Sequence, residues 1–295
     1  MILHLVLSRI IGLSGAVFCS ALFSSTAFAA PADPSGVSNL LLKARLAYEQ
    51  GKREEALSFA QKAVELDPKN ADAYETRGRI YDAMRQFDKA VSDYDQLLKL
   101  KPAVPKLHQL RGEAHFKLGN IRESIADFDR YIESNRALEP HHWQRGISYY
   151  YAERYEDGRK QFESHQTVNA NDVENAVWHF LCVARSAGVE KARSLLIPIK
   201  GDGRVPMTQV HALFAGKATV EEVLAAAKAG EPTPEQLRQH LFYAHLYLGL
   251  YYEAIGDAKR AQEHIGKAAG EFAVFHYMGD VARVHEKLRN KPKDK

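Results

Sequence analysis

Cysteine is scarce in this chain. Two cysteines occur among 295 residues, Cys19 and Cys182, and only the second would remain if an N-terminal signal were removed. A single thiol cannot form an internal disulfide, so the fold must then be stabilised by packing. Cys182 lies in the apolar run AVWHFLCVA, a setting typical of a small buried core residue.

Blocks of like charge are also lacking. The chain has 40 Lys and Arg residues against 37 Asp and Glu residues, they are interleaved, and the formal net charge is +3. A nucleic-acid-binding protein would cluster its basic residues on one face, so we predict no nucleic-acid partner. Apolar residues make up 45% of the chain, which is enough for the core of one large domain or two small ones.

Catalytic and metal-binding motifs are missing as well. No HExxH, CxxC, phosphate-binding loop or GxSxG occurs, although the chain has 13 histidines. We therefore predict no metal site, no cofactor and no enzymatic activity. One alternative is a hydrolase with its site in residues 171–290, where His179 lies one helical turn before Cys182. Such a nucleophilic pair also needs an orienting group and an oxyanion site, and the nearby sequence indicates neither.

The long apolar stretch of this chain lies at the N-terminus. IIGLSGAVFCSALF follows Arg9 and is too short to span a bilayer, and the small residues AFA occupy positions 27–29. This pattern predicts a secretory signal peptide cleaved after Ala29 and a periplasmic or secreted mature protein. An uncleaved anchor is one alternative. A lipid anchor at Cys19 is disfavoured, because the large Phe18 stands where lipoprotein processing needs a small residue.

A 34-residue repeat dominates the rest of the sequence, in blocks that begin at Val37, Ala71, Pro105 and Glu139. Small residues recur at position 8 of each block: Ala44, Gly78, Gly112 and Gly146. Position 24 becomes bulky after the first block: Ala60, Tyr94, Phe128 and Phe162. Small residues let two antiparallel helices approach closely, and bulky ones fill the space between neighbours. The pattern resembles the tetratricopeptide repeat, a helix–turn–helix unit that stacks into a superhelix.

The resemblance implies an all-α fold, a right-handed superhelical solenoid of antiparallel helix pairs that ends in a C-terminal capping helix. Capping-box patterns predict helix starts at Thr219, with Glu222, and at Thr233, with Gln236. The expected organisation is a signal peptide (1–29), a linker (30–37), four repeats (38–170), a degenerate helix pair with a loop and a short helix (171–233), a C-terminal repeat with the capping helix (234–290) and a tail (291–295).

A second similarity concerns this layout and the stretch LYLGLYYEAIGD at 246–257. Both look like those of bacterial NlpI-like envelope proteins built from the same repeat. The resemblance implies a scaffold for other envelope proteins, with cell-wall hydrolases or a protease as partners. Members of that family are outer-membrane lipoproteins, and the lipid-attachment motif is missing here.

Three arginines stand at position 7 of successive blocks: Arg77, Arg111 and Arg145. An aspartate follows the first two after 16 residues, Asp93 and Asp127, at position 23 on the second helix. Antiparallel helices bring these positions together, and a carboxylate suits the planar guanidinium. We predict structural pairs Arg77–Asp93 and Arg111–Asp127 rather than a row of ligand-binding cations. In the fourth block Gln161 replaces the aspartate, so the charged pair is expected to be lost there.

The concave face of such a stack, formed by the first helices, is the expected binding surface. Trp143 and Tyr150 are seven residues apart, share a helical face with Ile147, and are the predicted anchors, with core packing as the alternative. The full predicted peptide-binding set is Arg79, Phe116, Lys117, Trp143, Ile147, Tyr150 and Tyr151. The predicted function is that of an exported adaptor that binds a segment of another envelope protein. The alternative is a structural homo-oligomer of the envelope.

Overall fold

The computed structural model of this protein describes residues 34–289, and within that range it contains α-helices, one 3₁₀ helix and no strand. The signal peptide, cleavage after Ala29, Cys19 and the tail 291–295 lie outside the described residues. Eight helices form the first four pairs: α1 (Pro34–Glu49), α2 (Arg53–Leu66), α3 (Ala71–Ala83), α4 (Phe87–Leu100), α5 (Lys106–Leu118), α6 (Ile121–Glu133), α7 (Trp143–Tyr151) and α8 (Tyr155–Gln166). The 3₁₀ helix Arg136–His141 precedes α7.

The second half of the described chain is less regular. It consists of α9 (Val173–Ala187), α10 (Val189–Ser194), α11 (Met207–Phe214), α12 (Val220–Lys228), α13 (Pro234–Ala254), α14 (Ala258–Ala269) and α15 (Tyr277–Arg289). The helices at 220 and 234 begin with the capping boxes expected from Thr219 and Thr233. Helix α11 was not predicted, because the loop residues before it end in Pro206 and obscure its start. The all-α solenoid of helix pairs is confirmed.

The glycines at position 8 exist because position 24 is aromatic. A Cβ added to Gly112 would lie 2.8 Å from a ring carbon of Phe128, and one added to Gly146 would lie 2.7 Å from Phe162. Such distances are shorter than any van der Waals contact, so alanine would push the two helices apart. In the first pair both positions are alanine, Ala44 and Ala60, and both are fully buried. The two positions are therefore matched in size within each repeat.

Buried side chains are divided unequally along the solenoid. The first two repeats contain small clusters, such as the one formed mainly by Ala44, Ala47, Ala56 and Ala60. From Phe116 onward one continuous core extends to Val284 in the last helix. That helix, α15, packs on α14 and also turns back against α5, so the end of the chain contributes to the core of the third and fourth repeats. No helix within 34–289 is long and apolar enough to cross a bilayer.

Candidate functional site

The arginines at position 7 lie in the seams between helices. Arg77 donates to both carboxylate oxygens of Asp93, from Nε at 2.9 Å and from Nη2 at 2.6 Å. Its remaining Nη1 donates to Gln61 Oε1 at 2.6 Å, and Gln61 belongs to the preceding repeat. The guanidinium thus joins the two helices of its own pair and the second helix of the pair before. Most of its hydrogen-bonding capacity is used inside the solenoid.

The same connection recurs in the next two repeats. Arg111 donates twice to Asp127, at 2.8 and 2.7 Å, and once to Asp95 at 2.7 Å. Arg145 donates to Gln161 at 2.9 and 2.7 Å and to Asp129 at 2.9 Å. Gln161 leaves the contact with position 23 uncharged, as expected, but Arg145 forms ion pairs with two other carboxylates, Asp129 of the preceding repeat and Glu139 at 3.0 Å. The sequence signal that was missed is position 25, occupied by Gln61, Asp95 and Asp129.

Most of the predicted aromatic stripe is buried by the chain itself. Phe116, Ile147, Tyr150 and Tyr151 are at most 8% exposed, while Trp143 is partly exposed. The alternative that Tyr150 packs in the core is the one the structure favours. The C-terminal helices cover these side chains on the concave side, and Trp143 and Ile147 line a separate pocket of about 170 Å³ that Met278 of α15 also borders. Sequence periodicity cannot reveal this, since it says nothing about contacts between distant repeats.

The contacts that close this part of the groove are specific. Tyr277 of α15 stacks on Phe116, with ring centroids 5.3 Å apart, and meets Trp143 edge-on at 5.1 Å. The Tyr150 hydroxyl donates to Glu253 of α13 at 2.9 Å. Helices α13 and α15 therefore take the place that an external peptide was expected to occupy.

An open groove remains on the concave side of the first three repeats, and we call it the N-terminal groove. Its first section has a volume of about 520 Å³ and is bounded by α1, α3 and α5. Its lining residues are Ala44, Arg45, Tyr48, Glu49, Thr76, Arg79, Ile80, Asp82, Ala83, Tyr94, Leu110 and Glu113. The apolar part of this lining comes from alanine, isoleucine, leucine and tyrosine side chains, all on first helices except Tyr94 of α4.

A second section, of about 680 Å³, continues the N-terminal groove toward α15. Tyr48, Asp82, Ala83 and Glu113 line both sections, so the two are neighbouring parts of one groove. The far wall is formed by Phe275, His276, Tyr277 and Asp280, immediately before and within α15. Of the predicted peptide-binding residues, Arg79 lines the first section and Lys117 the second.

Several charges in the N-terminal groove are paired with each other. Lys117 Nζ lies 2.8 Å from both carboxylate oxygens of Asp82, across two repeats. Arg85 Nη1 lies 2.6 Å from Asp280 Oδ1 and links the second repeat to α15. Glu113 instead accepts hydrogen bonds from two glutamine amides and has no ion pair within 34–289. The floor of the groove therefore carries a carboxylate that no cation neutralises directly.

Cys182 and His179 do not form an activated nucleophile. The Cys182 thiol is fully buried, and burial raises its pKa, which disfavours the reactive thiolate. A Cβ added to Gly158 would lie 2.8 Å from Cys182 Sγ, which is too close for any larger residue and explains the glycine inside α8. His179 Nε2 faces Glu163 Oε1 at 3.3 Å. Within the described residues no group of three or more His, Cys, Asp or Glu side chains is arranged to hold a metal ion.

Sequence profiles agree with the geometry of the helix pairs. Profiles described as tetratricopeptide repeat match residues 47–112 and 105–138. The chain contains tetratricopeptide repeats. Proteins built from this repeat typically act as protein-interaction scaffolds rather than as enzymes, through the concave surfaces that the stacked repeats create. No curated protein matches the sequence.

Solved structures of low sequence identity share the fold. A tetratricopeptide repeat protein from Parabacteroides merdae is 17% identical, with a TM-score of 0.57, over 86% of this chain and 98% of that one. MamA 41-end from Desulfovibrio magneticus RS-1 is 14% identical, with a TM-score of 0.51, over 56% of this chain and 92% of that one. Similarity at this identity describes architecture and leaves the ligand open.

Proposed function

We propose that this protein is an exported tetratricopeptide-repeat adaptor that binds a segment of another cell-envelope protein in its N-terminal groove. The observation that carries the proposal is that the concave face is open over the first three repeats and filled by the chain itself beyond them. Together the two sections offer room for several residues of an extended segment, on a lining that mixes apolar and charged side chains.

Export is supported by the N-terminal sequence. The apolar stretch and the AFA motif favour cleavage after Ala29, which would release a mature chain that begins at Ala30. N-terminal sequencing of the protein purified from cells tests this step. A mature chain that begins at a lipidated Cys19 would overturn it and would favour the lipoprotein relatives. Cell-wall hydrolases or a protease are candidate partners through the NlpI-like resemblance.

Affinity capture from envelope extracts tests the binding site. Ala83 lines both sections of the N-terminal groove, so Ala83→Arg places a long charged side chain in the space meant for the partner. We expect at least a tenfold loss of the captured partner, equivalent to about 1.4 kcal/mol or more. Mass spectrometry identifies the protein that is lost.

Ala126→Arg provides the matched control. Ala126 is exposed on α6, the second helix of its repeat, and does not line the groove. The same substitution there should leave capture unchanged, and circular dichroism should show both variants folded. If Ala83→Arg captures the same proteins as the control in equal amounts, the N-terminal groove is not the binding site.

A further inference from the structure

We propose that the N-terminal groove selects a segment that carries a lysine or arginine, whose cationic end binds the carboxylate of Glu113. The inference deepens the proposed function and rests on it, because it names the chemistry of the partner that the groove takes. Four observations support it: the position of Glu113 in the groove, its unused hydrogen-bonding capacity, the charges around it and the apolar side chains beside it.

Glu113 lies at the junction of the two groove sections and is held there by hydrogen bonds. It lines both sections, and its Oε1 accepts from Gln109 Nε2 at 2.7 Å and from Gln144 Nε2 at 2.9 Å. His142 Nε2 lies 2.6 Å from Gln109 Oε1 and fixes that amide in turn. The other carboxylate oxygen, Oε2, has no hydrogen bond within residues 34–289. The two neutral amides orient the carboxylate without supplying a counter-charge.

The cations nearest to Glu113 are already engaged. Lys117 lies one helical turn away on α5, but its ammonium group is bound by both oxygens of Asp82. Arg79 donates to Glu75 from Nε at 3.0 Å and from Nη2 at 2.8 Å. Neither cation reaches Glu113 as an ion pair in the described part of the chain. The charge of Lys117 lowers the pKa of Glu113 from a distance, but an incoming ammonium or guanidinium group would meet a carboxylate that has no ion pair to displace.

Two tyrosines on either side of the groove floor are surrounded by negative charge. Burial raises the pKa of Tyr94 and Asp82 raises it further; Arg79 lowers it, and Glu113 and Glu75 add smaller increases. Burial also raises the pKa of Tyr277, to which Glu113 and Asp280 add. Burial likewise raises the pKa of Glu113 itself, so its ionised form is incompletely solvated. A cation that enters the groove would lower the cost of that partly desolvated charge.

The walls beside Glu113 suit the stem of a long basic side chain. Ile80, Ala83 and Leu110 line the first section, next to the buried ring of Tyr94. Lysine and arginine bury their methylene groups along such surfaces while the charged end reaches a polar group. A shorter side chain would leave this apolar lining without a contact, and an acidic side chain would leave the Glu113 carboxylate without a partner.

Two cations lie at the outer rim of the N-terminal groove. Arg45 and Arg53 are exposed, belong to α1 and α2, and have no ion pair within the described chain. Their charges face water and are screened at physiological ionic strength, whereas Glu113 is partly buried. They favour acidic residues that flank the basic residue of the partner. We therefore expect the partner segment to carry a basic residue with apolar neighbours, and acidic residues at the end that lies near α1.

Peptide libraries test the selectivity directly. The probes are four fluorescein-labelled ten-residue libraries, randomised except for a central residue fixed as Arg, Lys, Gln or Glu. Immobilised wild-type protein should retain the Arg and Lys libraries at least fivefold better than the Gln library, and the Glu library least. Glu113→Gln keeps the shape of the side chain and an oxygen for the two glutamine amides, and should reduce the Arg-to-Gln ratio to below twofold.

Glu123→Gln is the matched control, because Glu123 is exposed on α6 and lies outside the groove. It should keep the wild-type preference, and thermal melts should show that both variants fold. The proposal is overturned if wild type retains no library, shows no preference for a basic residue, or if Glu113→Gln keeps the preference. The Ala83→Arg capture experiment is read separately. A partner that is sensitive to Ala83→Arg but not to Glu113→Gln would leave the adaptor function standing and remove this inference alone.

Discussion

The first two repeats and the rest of the solenoid use one repeat pattern to build two different regions. Residues 34–100 bury alanine and branched aliphatic side chains with few aromatic rings, in small clusters, and their concave face stays open. Residues 105–289 bury aromatic rings in one continuous core, and beyond the N-terminal groove, which reaches Glu113 and Lys117 on α5, the concave face is filled by α13 and α15. The difference teaches that the repeat pattern fixes the helix pairs, whereas the availability of the groove depends on what the rest of the chain places in it.

Histidine distribution gives the sharpest test of this division. Every histidine of residues 34–289 lies in the second region, and burial lowers the pKa of His142, His245 and His285 to about 4. A histidine whose pKa is depressed in the folded state contributes stability above its unfolded value of about 6.5. That stability is lost as the pH falls from about 6.5 toward 4, because the unfolded chain binds the proton more readily. At pH 5 the loss is about 2 kcal/mol for one such histidine.

We therefore expect the second region to unfold at lower denaturant concentration at pH 5 than at pH 7.5. Both tryptophans, Trp143 and Trp178, lie in it, so tryptophan fluorescence during guanidinium unfolding reports this region alone. Hydrogen exchange of peptides from residues 34–100, corrected for the intrinsic effect of pH, serves as the internal control. An equal loss of protection in both regions would show that the solenoid unfolds as one unit and would remove the comparison.

Sequence reasoning succeeded where the structure is local. The 34-residue period, the small residue opposite a bulky one, and the capping boxes at Thr219 and Thr233 all depend on neighbours within one helix pair. It failed where distant segments meet. The burial of Phe116 and Tyr150 depends on Tyr277 and Glu253, more than a hundred residues away, and no periodic pattern encodes such a contact. The repeat pattern predicts a concave face, but it does not predict where α13 and α15 close the N-terminal groove.

Glycine substitutions test whether the first repeat and the later repeats differ in how the two positions are matched in size. Gly112→Ala would place a methyl group 2.8 Å from the Phe128 ring, and we expect a loss of roughly 1–3 kcal/mol from overpacking. Phe128→Ala alone should also destabilise, through the cavity it leaves. The double variant recreates the Ala44 and Ala60 pair of the first repeat. It should cost clearly less than the sum of the two single changes, as measured by urea unfolding. Additive losses would mean that the two positions are not matched as the structure indicates.

The smallest expected effect concerns Arg77 and Asp93, which lie in the first region. Arg77→Ala and Asp93→Ala should each lower the melting temperature, because each leaves a mostly buried charged group without its ion-pair partner. A double-mutant cycle should give a coupling energy of about 1 kcal/mol or more.

Capture of the partner provides the second readout for this pair. The guanidinium bridges α3, α4 and Gln61 of α2, and it does not line the N-terminal groove. Variants that remain folded at the assay temperature should therefore capture the partner as wild type does. Thr76→Ala is the comparison substitution, because Thr76 neighbours Arg77 but lines the groove. If Arg77→Ala melts like wild type yet loses the partner, the arginines are ligand-binding groups. The open groove of the first region would then extend into the seams between its helices.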